Sequence, residues 1–123
     1  MIVNFGSDAG LNPDPYAAHY SASKGAVMAF TRTAAWEWRS YGIRVNSVAP
    51  VIHTPIYEEY LDRMSPEERA AHELGVAQAI RLGDKPGDPD RDPAPVLVFL
   101  PSDASRFIAG QIIAVSGGTS YVR

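Results

Sequence analysis

Residues 1–6 are apolar and β-prone and break at Gly6, Ser7, Asp8, Ala9 and Gly10, a pattern that predicts a strand running into a tight loop. A loop rich in Asn and Pro follows (Asn12, Pro13, Asp14, Pro15). From about residue 16 to 41 there is no proline and alanine is abundant, so one long helix is expected, with Gly42 at the position that ends it. Its apolar and small positions (Ala22, Ala26, Ala29, Phe30, Ala34, Trp36) cover more than one face, which predicts a sheet on one side and a partner on the other. Residues 43–49 alternate β-branched positions and stop at Pro50, a second strand. Ser65, Pro66 and Glu68 form a helix start, with Ser as N-cap, Pro at the first position and Glu three residues on, and the helix should run to about Ala79. Residues 84–95 are dense in Pro, Asp and Gly and predict an irregular connector, with Asp92 and Pro93 capping a helix through Leu100. Residues 111–115 form a last strand closed by Gly117 and Gly118. The order is βαβ(αα)αβ, an α/β arrangement of three strands in which the first two are joined by a helical crossover and are therefore parallel.

Composition narrows the function classes. The chain has 123 residues, 46% hydrophobic and 20% charged, enough for one modest core and a single domain over 1–123. The net charge is −3 and no run of Lys or Arg occurs, so the basic footprint of a nucleic-acid binder is absent. Without cysteine there is no thiol catalysis, disulfide or zinc-thiolate site, and a cytoplasmic setting is the expectation. No apolar run approaches the length of a membrane span, and the first residues lack the pattern of a signal peptide.

The candidate chemistry centres on Tyr20 and Lys24, spaced i, i+4 at the head of the long helix, which puts a phenol and an ammonium on one face. A phenol titrates near 10 in water, and a neighbouring cation favours its ionised form, which is how a tyrosine becomes a proton shuttle. The spacing alone is a weak signal, because an ordinary exposed helix pair has the same appearance. Ser7 reads equally as a loop-capping hydroxyl, and Thr54 as an N-cap before Pro55. His19, His53 and His72 do not share a metal-binding spacing on one face, so no metal is expected. Tyr57, Tyr60 and Met64 read as packing residues.

The ordered set of segments is more specific. Ile2-Val3-Asn4-Phe5-Gly6-Ser7 with Gly10, Tyr20 to Lys24, Gly42-Ile43-Arg44-Val45-Asn46 through Pro50, Thr54-Pro55, Phe99-Leu100-Pro101-Ser102-Asp103, and Gly110-Gln111 through Gly118 together resemble the C-terminal half of a short-chain dehydrogenase/reductase. The resemblance implies a partial Rossmann-like, doubly wound parallel sheet, and NAD or NADP as cofactor. It also implies a small-molecule alcohol or carbonyl substrate and a homo-oligomer in which the long helix shares a four-helix interface. It assigns Tyr20 as general acid/base, Lys24 as the residue that assists it and binds the nicotinamide ribose, and Ser7 as the donor to the reacting oxygen. Pro50, Val51 and Thr54 fall where the family contacts the nicotinamide, and residues around Tyr57 to Met64 where it carries a lid over the substrate.

Two features depart from the family pattern. No G-x-G-x-x-G-like turn for the dinucleotide pyrophosphate occurs in these residues, which belongs to the family's N-terminal half. The glycine usual directly after the proline at position 50 is missing, so that Val51 follows Pro50 and the loop is one residue shorter; a glycine there would admit backbone close to the nicotinamide. Three readings follow: an NAD(P)-dependent oxidoreductase, a truncated and catalytically inactive remnant, or a module that pairs with a complementary half-chain.

Overall fold

The computed structural model describes residues 1–120. Three strands, β1 (Ile2–Phe5), β2 (Val45–Pro50) and β3 (Ile112–Val115), form one parallel sheet in the order β1-β2-β3. Ile2 lies opposite Val45 and Phe5 opposite Val48, while Ser47 and Pro50 of β2 face Ile112 and Val115 of β3. The central strand is covered on both faces, and Val45 through Ala49 are all buried. That burial accounts for its nearly unbroken apolar and small-residue sequence, since a central parallel strand has no solvent face.

The crossover from β1 to β2 is α1 (Ala18–Trp38), extended by a 3-10 turn over Arg39–Tyr41. Gly42 ends it in the left-handed conformation (φ 70°), where a side chain would be strained. Met28, Thr31, Ala34 and Ala35 are the buried residues of α1. Met28 packs with Ala49 and Ile112, joined by Leu11; Ala34 and Ala35 pack with Val45, flanked by Trp38 and Ile43. Only the sheet side is covered, and the outer side, expected to meet a partner, is open in the single chain, with Trp36 67% and Phe30 52% exposed.

Between β2 and β3 lie α2 (Pro55–Leu61), α3 (Pro66–Ala79) and α4 (Pro93–Phe99). The predicted capping box of α3 is complete: Ser65 Oγ accepts from the Glu68 N–H and Glu68 Oε2 accepts from the Ser65 N–H. The expected cap of α4 differs. Asp92 precedes Pro93, but its carboxylate accepts from the Asp88 N–H at 2.6 Å instead of capping the helix. Pro95 removes the third-position N–H that a capping side chain would take, so the carboxylate turns back into the preceding loop. The connector before α4 is not wholly irregular either, because Gly87 pairs with Ile52 as a parallel bridge beyond the end of β2.

No helix among the described residues is long and apolar enough to cross a membrane.

Candidate active site

The carboxyl ends of β1 and β2 point toward the same end of the sheet, and the candidate residues gather there. After Phe5 the chain turns through Gly6 into Ser7, whose extended backbone caps a 3-10 turn at Asp8–Gly10. Ser7 Oγ accepts from the Ala9 N–H at 3.3 Å, which leaves its own O–H free to donate outward. This turn presses directly on α1. A Cβ on Gly10 would stand 3.0 Å from Gly25 N and Lys24 C, both backbone atoms, so only glycine permits the approach.

Helix α1 is fixed to β1 by the Asn4 side-chain amide, which donates to Thr31 Oγ1 at 2.9 Å. One turn from the helix start, Tyr20 and Lys24 share a face, with Lys24 Nζ 5.6 Å from the centre of the Tyr20 ring. The same ammonium donates to the Phe5 carbonyl at 3.1 Å, two residues before Ser7. The lysine thus ties the head of α1 to the end of β1, a contact for which the sequence offers no local signal.

The other wall follows β2. The Val51 N–H donates to the Val115 carbonyl at 2.9 Å, and Gly87 N–H and the His53 N–H close a short ladder with Val51 and Gly87 carbonyls. The Val51 backbone is therefore held in strand-like pairing where the family would have a glycine. Thr54 caps α2, its Oγ1 accepting from the Tyr57 N–H at 3.2 Å, and its O–H remains available.

Ser7, Pro50, Val51 and Thr54 line one cleft of about 510 Å³. Tyr20 and Lys24 lie outside its lining, and Lys24 bonds the Phe5 carbonyl, two residues before the lining residue Ser7. The far wall consists of Tyr57 from α2, in the segment the resemblance assigns to a lid, and of His72, Val76, Ala79 and Ile80 at the α3 end, which the sequence did not mark as site residues. The spacing of 72, 76 and 79 is one helix face, the signal that could have found them. The Tyr57 hydroxyl and His72 Nε2 are 3.0 Å apart. Burial, and next the Glu73 carboxylate, push the Tyr57 phenol above its ordinary range, so it stays protonated. His53 Nε2 sits 2.7 Å from Glu58, and Arg69 reaches Glu58, Asp62 and Glu73, joining α2 to α3 by exposed ion pairs. Such pairs contribute little each and act here mainly to fix the two helices' registration.

The donor set fits the nicotinamide end of a dinucleotide: two hydroxyls with free protons, Ser7 and Thr54, in a cleft with an apolar wall at Pro50, Val51 and Ile52. A cradle for the pyrophosphate is not among the described residues.

A family model described as enoyl-(acyl carrier protein) reductase matches residues 1–120. The inactive 2-(S)-hydroxypropyl-CoM dehydrogenase 2 of Xanthobacter autotrophicus is 38% identical over 123 residues, covering 98% of this chain and 51% of its own length. A short chain dehydrogenase family protein from Francisella tularensis superposes with a TM-score of 0.84 at 28% identity, over 95% of this chain and 49% of that one. A 4-hydroxyisoleucine dehydrogenase complexed with NADH does so at 0.83 and 35%, over 96% and 46%. The chain spans about half the length of the relatives it matches. In sequence and in fold, this chain belongs to the short-chain dehydrogenase/reductase family.

Proposed function

We propose that the chain is the C-terminal, catalytic half of a short-chain dehydrogenase/reductase that interconverts a small alcohol and its carbonyl compound with NAD or NADP, working as a homo-oligomer. The observation that carries this reading is the Lys24 bond from the Tyr20–Lys24 face to the Phe5 carbonyl, two residues before Ser7, which itself lines the cleft. The NADH-bound relative supports the cofactor class.

In the reducing direction, bound NADH or NADPH would supply a hydride to the carbonyl carbon. As the C=O bond breaks to a single bond, negative charge builds on oxygen, and the free Ser7 O–H stabilises it by a hydrogen bond. Tyr20 delivers its phenolic proton to that oxygen, giving the alcohol. The Lys24 ammonium stabilises the phenolate left behind until a solvent proton restores it. In the oxidising direction each proton moves in reverse. Thr54 and the Pro50–Val51 backbone would hold the nicotinamide end.

A second reading, a fold that has lost turnover, is favoured by Val51 at the glycine position and its backbone pairing to Val115. Titration with NADH and NADPH followed by their fluorescence separates the two, with saturation below millimolar cofactor expected for the enzyme and no binding for the remnant. Tyr20→Phe should lower turnover by at least about 100-fold, the scale of one general acid/base group; unchanged turnover removes Tyr20 from the mechanism.

A further inference from the structure

We propose that Tyr57 and His72 form a specificity-determining station that selects uncharged substrates carrying a second hydroxyl group. This rests on the oxidoreductase reading, since it names the substrate of the same cleft. Ser7 belongs to the wall that follows β1, and the Tyr57–His72 couple to the wall built by α2 and α3. Apolar side chains of Val51, Ile52, Val76 and Ile80 also line the space.

The couple has one unfilled hydrogen-bonding function whichever tautomer His72 adopts. If the Tyr57 O–H donates to Nε2, the phenolic oxygen still accepts; if Nε2–H donates to the phenol, the O–H still donates outward. A hydroxyl, which is both donor and acceptor, satisfies either case, whereas a methylene leaves the couple unpaired. The raised Tyr57 titration keeps the phenol a neutral donor at working pH.

Charge sets the second criterion. Among the described residues, the fully charged side chains lining the cleft are Asp8 and Asp14. An anionic substrate group would lose water there and meet two like charges in the lining.

The test is titration of the ¹⁵N-labelled chain with three probes of one ring size, 4-hydroxycyclohexanone, cyclohexanone and 4-oxocyclohexanecarboxylate, followed by amide shifts. The hydroxyketone should bind about fivefold more tightly than cyclohexanone, one net hydrogen bond's worth, and at least about tenfold more tightly than the carboxylate. Tyr57→Phe should bring it down to cyclohexanone, and His72→Gln provides a second reading of the same couple. Equal or tighter binding of the carboxylate, a hydroxyl preference that survives both variants, or no binding by any probe overturns the proposal. The measurement uses no dinucleotide, so it stands apart from the Tyr20→Phe result: loss of the catalytic role leaves the ranking of probes to be read independently.

Discussion

Asn46 lies at the centre of β2, fully buried, and its side chain connects elements more than sixty residues apart. Its amide nitrogen donates to the Ile108 carbonyl at 3.0 Å and its oxygen accepts from the Gln111 N–H at 2.9 Å. Arg44, two residues earlier, donates to the Leu100 and Ile108 carbonyls, so the loop that leads into β3 hangs on one edge of β2. Asn46→Ala should cost about 1–3 kcal/mol for each backbone group left unpaired. The check is a lower urea midpoint at unchanged slope, and an unaltered midpoint would show that water replaces the amide. At this scale the sequence was partly legible. The i, i+4 spacing put Tyr20 and Lys24 on one face, and Ser7 fell on the loop after a strand. The Lys24 bond to Phe5, the Tyr57–His72 couple and the Asn46 clamp were not legible, because each joins residues fifteen or more positions apart, and spacing rules reach only one or two turns.

Helix boundaries were read correctly from local chemistry, whereas side-chain and backbone pairings that depend on neighbours were not. Gly42 and the Ser65–Glu68 box act within a single turn, so sequence alone places them. The start of α4 at Asp92 and Pro93 was placed too, but the Asp92 carboxylate accepts from the Asp88 N–H, since Pro95 has no N–H to offer it. The pairing of Ile52 with Gly87 depends on where the connector returns over the sheet, which no window of sequence contains. The box of α3 carries a pH signature. The hydrogen bond from the Ser65 N–H holds the Glu68 carboxyl below the ordinary glutamate range. A carboxyl lowered by folding adds stability that is complete above its unfolded value, about 4.3, and is lost as pH falls through the lower folded value. Glu68→Gln keeps an acceptor that does not titrate, so the fall in melting temperature below about pH 4 should be shallower than in the unsubstituted chain. Superimposable acid limbs in the two melting curves would remove Glu68 from the acid response.

For the molecule as a whole, the sheet order leaves β1 at one edge, with Ile2 and Phe5 partly exposed, and α1 presents Phe30 and Trp36 outward. An apolar strand edge and an open aromatic helix face favour association. Sedimentation velocity at low micromolar concentration should show a species larger than one chain, and a compact monomer would contradict the proposed homo-oligomer. A different whole-molecule consequence comes from α3. None of its residues is buried, although it supplies His72, Val76 and Ala79 to the cleft, and its firm anchor is Ile80, just past its end. Substitutions on such a face usually change stability by no more than about 0.5 kcal/mol. The frame that holds Ser7, Tyr20 and Lys24 and the wall proposed to choose the substrate are therefore separable, and under that proposal new substrate preferences would arise in α3 by point substitution while the sheet and the residues proposed to handle the proton stay as they are.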